Sequence, residues 1–330
     1  MKILVTGATG FVGSHVVRKL LAAGHTVRIL RRQGSSTKML EGLPVETAIG
    51  DVTERDPVFK AVDGCEAVFH VAGHVSFWSG AREAQNKINI DGTRNAVEAC
   101  LHHKVRRLVH TSSIAAIGHA RDGEIGDETI PYNWWPYRLN YNNSKYRAEE
   151  EVRRGIEKEL NAVIVNPAIV FGAGDVNLNA GAIVFQAARG RLKVVPRGGG
   201  CTCSVEDVAE GHVLAFEKGK TGERYILGGE NYTWKDLFTM ISEVVGQPPP
   251  KISIPDSALK AFGFFSDAVS RVTHKEPAVT PETARITPLK VFYSSDKAIR
   301  ELGYKVSPFR DTIRQTYEWY LANGYIKSSI

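Results

Sequence analysis

Along the first half of the chain, short apolar runs alternate with longer stretches in which apolar positions recur every three or four residues. The runs read KILVT at 2–6, TVRIL at 26–30, VETAI at 45–49, AVFHVA at 67–72, RRLVHTS at 106–112 and AVIVNPAIV at 162–170. They are short and rich in β-branched residues, so each predicts a strand. Between the first two, Val16, Val17, Leu20 and Leu21 make one apolar face of a helix over 13–23. A second helical stretch runs from Asn89 to His102. Strands alternating with helices predict an α/β fold built on a doubly wound parallel sheet.

After Phe171 the rhythm changes, with GAGDVNLNAG, PRGGG and GQPPP as loop-forming punctuation. Helices are expected over 208–218, 234–245, 256–272 and 308–323. We therefore divide the chain into a first domain, 1–175, and a smaller mixed domain, 176–330, some segments of which return to the first. The helix over 256–272 carries Ala258, Phe262, Phe265 and Val269 at helical spacing. Its polar face is not strongly basic, so a packed core helix or a substrate lid is expected in preference to a membrane attachment.

Composition narrows the classes. The 330 residues are 43% hydrophobic and carry a net charge of +6, but the basic residues are scattered, which argues against a nucleic-acid partner. Four cysteines, Cys65, Cys100, Cys201 and Cys203, fit a reducing compartment. Cys201 and Cys203 precede His212 without the paired spacings of a zinc site, so no metal is expected. No run approaches the ~18 apolar residues of a membrane span. The opening MKILVTGATG lacks the pattern of a signal peptide. A cytoplasmic protein without stable membrane insertion is the expectation.

TGATGFVG places Gly7, Gly10 and Gly13 three apart, directly after the first strand and at the start of the first helix. Glycine there lets the backbone approach a pyrophosphate, which the helix N-terminus holds with free amides. Gly7, Thr9, Gly10, Phe11, Val12 and Gly13 are thus assigned to a dinucleotide, and 1–175 to its binding domain. At the end of the second strand, where an acid would bind the NAD ribose, stand Arg31 and Arg32. Guanidinium groups suit a 2′-phosphate, so NADP(H) is expected over the alternative NAD(H). Asp51, followed by Val52, ends the third strand where a carboxylate could accept the adenine amino group or cap a helix.

Two Tyr-x-x-x-Lys pairs occur, Tyr141 with Lys145 in YNNSK and Tyr293 with Lys297 in YSSDK. Spacing alone cannot choose between them.

TGATGFVG, GDVTE, VFHVAG, NIDGTRN, HTSSIAAIG, YNNSK, NPAIVFG and VEDVAEGH follow one another in an order that resembles the extended short-chain dehydrogenase/reductase superfamily, also called the NAD-dependent epimerase/dehydratase family. Within it the chain looks most like the branch of dihydroflavonol-reductase-like proteins and hopanoid-associated sugar epimerases. The resemblance selects Tyr141 and Lys145, which follow Ser113 at the family's separation, and leaves Tyr293 and Lys297 to surface or packing. It implies that Tyr141 transfers the proton, that Lys145 favours its phenolate, and that Ser113 polarises the substrate oxygen, with Ser112 the competitor. It also implies that Ala72, Gly73 and Pro167 line the cofactor and that Asn89 supports the active-site helix, while Thr111 is either structural or cofactor-facing. A homodimer through the helices near 89–102 and 141–160 is a further implication.

The arginines that clamp a sugar-nucleotide diphosphate in the superfamily are not evident, with Arg197 the only near substitute. Aromatic residues gather where substrate loops belong, Phe77 and Trp78 after the fourth strand and Trp134, Trp135 and Tyr137 before Tyr141. Such rings can stack on a flat or apolar substrate or staple loops to the core; on the first reading Trp78, Trp134, Trp135 and Phe171 are the candidate residues for an apolar or aromatic substrate. The leading expectation is an oxidoreductase acting between NADP(H) and a ketone, aldehyde or secondary alcohol. The alternatives are an epimerase or dehydratase with tightly held cofactor and an NADP(H)-binding sensor without turnover.

Overall fold

The computed structural model describes residues 1–326. Seven parallel strands make the main sheet, in spatial order Val45–Ile49, Thr26–Arg31, Lys2–Thr6, Ala67–His70, Arg107–Thr111, Ala162–Pro167 and Arg224–Leu227. Six are the strands expected from the apolar runs, and the seventh comes back from the C-terminal half. The chain winds outward in both directions from Lys2–Thr6, and the reversal of order beside it opens a crevice at the carboxyl ends of the strands.

Alternation within each strand supplies both faces. Ile3, Val5, Val27, Ile29, Phe69 and Val165 point into one buried cluster, beneath the helices Phe11–Ala22 and Val205–Lys218. Leu4, Leu30, Val68, Leu108 and Ile164 point into the other, beneath Arg55–Val62, Gly92–His102 and Asn140–Ile156. With both faces covered, the strands must be apolar throughout, which is why they read as runs rather than as alternating patterns. Asn89 lies not in the regular helix but in a π-helical turn, Lys87–Asp91, that leads into it. Such a turn rotates the side chains that follow it and often sits at a functional site.

A third cluster joins Phe171, Val184, Leu237, Ile241, Phe309 and Tyr320 between the helices Ala182–Ala188, Trp234–Val244 and Phe309–Ala322. It forms the core of the C-terminal part. A short mixed sheet around Gly199–Ser204, which pairs with Ile169–Phe171, Glu230–Thr233 and Lys290–Tyr293, links that part to the end of the main sheet.

The helix Asp256–Thr273 overturns the expectation of a packed core helix. Phe262, Phe265 and Val269 are exposed, and the residues turned inward are Leu259, Gly263, Asp267 and Ser270. Gly263 permits the approach, since a Cβ there would lie 3.0 Å from the Thr280 carbonyl oxygen.

Candidate functional site

Gly7 follows the first strand with φ of +68°, and a Cβ on it would lie 2.6 Å from the Ala72 amide nitrogen. A Cβ on Gly13 would lie 2.1 Å from the Gly7 carbonyl oxygen. Both positions therefore require glycine, one for backbone conformation and one for the packing of helix on loop. Gly10 caps the helix Phe11–Ala22 without any side-chain cap, so the first amides remain available to an anion. Thr9 and Val12 are half-buried around this turn, while Phe11 is buried with its ring 5.8 Å from His15. The residues fit a dinucleotide pyrophosphate.

At the end of the second strand, Arg31 Nη1 donates to the carbonyl oxygens of Arg32 and Gln33 at 3.3 and 3.2 Å, and its Nε is buried without a partner. Arg31, Thr37, Lys38 and Glu41 are among the residues lining a cavity of about 430 Å³, and Arg32, next in sequence to Arg31, is exposed. Asp51 turns back on its own loop, Oδ1 accepting from Thr53 N and Oγ1, both at 2.9 Å. It does not cap the following helix, whose N-cap is Glu54. The Val52 carbonyl accepts from Asn95 Nδ2 at 2.9 Å, which ties this loop to the helix Gly92–His102.

The helix Asn140–Ile156 carries Tyr141 and Lys145 one turn apart on its inner face, 8% and 4% exposed. Burial raises the Tyr141 phenol, an effect that the nearby Ser113 side chain opposes. Ser113 is half-buried, whereas the Ser112 hydroxyl is buried without a partner. Lys145 Nζ donates to the Thr111 carbonyl oxygen at 3.0 Å. Its pKa is lowered to about 8 by burial, with Glu149 acting in the opposite sense.

Gly73 faces the same ammonium, and a Cβ on it would stand 3.0 Å from Lys145 Nζ. Asn89 staples the loop to the helix: its Oδ1 accepts from His74 N at 2.7 Å and its Nδ2 donates to Ser144 Oγ at 2.9 Å. Ala72 N donates to Thr6 Oγ1 at 3.3 Å. The Thr111 side chain points away from the crevice to His212 Nε2, at 2.8 Å. Pro167 ends the sixth strand, buried and in register with Leu227.

Behind Ser113 and Lys145 stands a brace that the sequence reading missed. Glu149 is fully buried and accepts from Asn166 Nδ2 at 2.7 Å, and the same amide donates to the Ser113 carbonyl oxygen at 2.9 Å. Arg153 Nη2 at 2.8 Å and Arg224 Nη1 at 3.6 Å balance the charge. The visible signal was an acid one further turn beyond Lys145, on the same helical face.

The aromatic residues separate. Phe77 packs its ring 5.5 Å from that of Tyr141 and so reaches the site. Trp78 is half-buried, its Nε1 donating to Ser270 Oγ at 3.1 Å. Trp135 is exposed against Tyr132 and Tyr146. Trp134 is buried, with Nε1 donating to the Ile117 carbonyl at 2.8 Å, so it staples the loop after Ser113 and offers no face to a substrate. Phe171 is likewise enclosed, against Phe309, and belongs to the C-terminal core. Tyr293 and Lys297 share no helical face: Tyr293 ends a strand with its hydroxyl donating to the Gly118 carbonyl at 3.1 Å, and Lys297 pairs with Glu223 at 2.6 Å.

Comparison with known proteins agrees with this geometry. The sequence model of the NAD dependent epimerase/dehydratase family matches residues 3–228. A Synechocystis protein named as a dihydroflavonol 4-reductase is 34% identical over 98% of this chain and 96% of its own. The sterol demethylase protein B of Methylococcus capsulatus is 31% identical over 99% of this chain and 100% of its own. The crystal structure of gox2253 superposes with a TM-score of 0.88 at 41% identity, covering 98% of this chain and 99% of that one. Its kin bind nicotinamide dinucleotides and include named reductases and dehydrogenases. The chain belongs to the NAD-dependent epimerase/dehydratase family of extended short-chain dehydrogenases/reductases, and is an NAD(P)-dependent oxidoreductase.

Proposed function

We propose that the protein reduces a carbonyl group on an apolar or aromatic small molecule with NADP(H), using Ser113, Tyr141 and Lys145. The observation that carries this reading is the placement of Tyr141 and Lys145 one turn apart on the buried face of one helix, with Ser113 near the phenol. Burial favours the protonated phenol, which can give its proton to a carbonyl oxygen.

The bound dinucleotide supplies the hydride. The chain's own residues do the rest: Ser113 donates a hydrogen bond to the same substrate oxygen, and Tyr141 delivers the proton to it. Lys145 has one donor occupied by Thr111 and the others free for the ribose hydroxyls. Phe77 and Trp78 form the apolar wall. The names of the Synechocystis and Methylococcus relatives, which refer to a dihydroflavonol and a sterol, support a substrate of this kind. Arg31, Thr37 and Lys38 around one cavity support a 2′-phosphate and hence NADP(H). Assembly as a homodimer through Gly92–His102 and Asn140–Ile156 belongs to the same proposal.

A screen of NADPH oxidation across aromatic aldehydes, ketones and steroids tests the reading. Stoichiometric NADP⁺ release with one class of carbonyl is the expected result. Retained cofactor with isomerisation of a sugar nucleotide would transfer the assignment to an epimerase. Binding of NADP(H) without turnover of any class would leave a sensor.

A further inference from the structure

The helix Asp256–Thr273 is inside out. Its inner stripe includes Gly263, Asp267 and Ser270, while Phe264, Phe265 and Val272 on its outer side are 69%, 67% and 81% exposed. A soluble helix ordinarily buries its apolar stripe and shows the polar one to water. The apolar surface continues N-terminally, where Ile252 in the strand leading to the helix pairs in register with Val194, both exposed. Contiguous exposed aromatic surface of this sort marks an interaction site.

We propose that this face docks on an anionic lipid bilayer, with the helix lying in the plane of the interface. Charge selects the occupant. Lys193 and Lys251 adjoin the paired strands, Lys260 lies on the helix and Lys275 just beyond its end, all four exposed. Of the acids nearby, Asp267 binds Arg271 at 2.9 Å, Glu276 accepts from Ser76 Oγ at 2.8 Å and keeps its charge, and Asp256 opens the helix with Oδ1 unpartnered, so the four lysines still leave the surface net basic. A rim of free ammonium groups around an aromatic face suits anionic headgroups, with the rings at the acyl boundary. A second copy of this chain, itself carrying a charge of +6, would bring the same basic rim against it. No helix among the described residues is long and apolar enough to cross a membrane, which limits the contact to the surface.

The inner side of the helix connects this surface to the site. Trp78 Nε1 donates to Ser270 Oγ at 3.1 Å, and Ser79 Oγ donates to Asp267 Oδ1 at 3.3 Å. Docking therefore holds the loop bearing Phe77 and Trp78 close to the lipid. Passage of an apolar substrate from the bilayer to Tyr141 rests on the function proposed above; the docking itself does not.

The test is flotation of the full-length protein with phosphatidylcholine vesicles, with and without phosphatidylglycerol. Recovery with the anionic vesicles is expected, falling as salt is raised. The double variant Phe264→Gln/Phe265→Gln should lose at least about tenfold in vesicle partition, because two aromatic side chains no longer leave water. Lys251→Glu/Lys260→Glu should lose the preference for anionic lipid. Both pairs are exposed and outside the site, so NADPH turnover on a water-soluble substrate serves as the control for folding. Absence of the wild-type protein from both floated fractions would overturn the proposal. So would a Phe264→Gln/Phe265→Gln variant that floats normally but turns a dimer into a monomer in sedimentation, since the face would then belong to a second copy.

Discussion

Replacing Lys145 by Met should remove activity and yet make the cofactor-free protein more stable. The ammonium is 4% exposed and its pKa falls from 10.5 to about 8, chiefly through burial. At ~1.36 kcal/mol per pKa unit this is a destabilisation of about 3 kcal/mol. Met fills a similar volume without the charge, but leaves the Thr111 carbonyl without its 3.0 Å donor, a loss of about 1–2 kcal/mol. The net expectation is a gain of about 1–2 kcal/mol at neutral pH. The sign fixes the pH dependence. Below about 8 lysine is charged in both folded and unfolded chains and the full penalty applies; above 10.5 it is neutral in both and the penalty vanishes. Wild-type stability should therefore rise relative to the variant through that window. Parallel urea titrations of both proteins, stripped of cofactor, at neutral pH and again above the ordinary lysine range, measure the gap. A variant less stable than wild type at neutral pH, or a gap independent of pH, would refute the description of Lys145 as a desolvated cation held for function.

Tyr141→Phe keeps the ring against Phe77 and should lower the NADPH-oxidation rate on the order of 10²–10⁴-fold with unchanged circular dichroism. Tyr293→Phe should instead leave the rate near normal and cost about 1 kcal/mol of stability in denaturant titration, the worth of its bond to the Gly118 carbonyl. Glu149→Gln should lower the pKa of Lys145 further, because the carboxylate is what raises it, and so shift the pH profile of NADPH affinity downward. The same change should destabilise the fold by about 3 kcal/mol by unbalancing Arg153 and Arg224. Arg31→Asp should weaken NADPH about tenfold or more in calorimetry while sparing NADH; equal loss for both would dissociate Arg31 from the 2′-phosphate.

How much of this could be read from the chain depended on whether the cause was local. Strands such as Ala162–Pro167 announce themselves because a sheet covered on both sides needs apolar residues at successive positions, although the run AVIVNPAIV continues past it into a second strand, Ile169–Phe171, of the mixed sheet. The glycine turn is legible for a similar reason: only glycine tolerates the close approach of the Ala72 backbone at Gly7, where φ is +68°, and of the Gly7 carbonyl at Gly13. Trp134 and Phe171 were misread because an aromatic side chain looks the same whether it walls a pocket or fills a core. The partners that decide, the Ile117 carbonyl and Phe309, lie 17 and 138 positions away in sequence. The inside-out helix exposes the same limit from the other direction. Its periodicity fixed which residues share a face but not which way the face turns, and the direction was set by Trp78, Ser79 and Thr280, none of them on the helix.

The brace behind Ser113 carries the argument one step further. Lys145 and Glu149 sit one helical turn apart, and Asn166 precedes Pro167 at the end of the sixth strand, so the helix and the strand are joined by the 2.7 Å bond between Glu149 and Asn166. Through the same amide the strand fixes the backbone of Ser113. The three residues of the proposed triad are thus positioned by one buried carboxylate that need touch neither substrate nor cofactor. Burying a charge for positioning is expensive unless it is paired, and Arg153 and Arg224 provide that pairing. Arg224 opens the seventh strand, which is contributed by the C-terminal half. The second half of the chain therefore helps to hold the proposed catalytic residues of the first, and its inverted helix ties down the loop of Trp78 and Ser79 through Ser270 and Asp267.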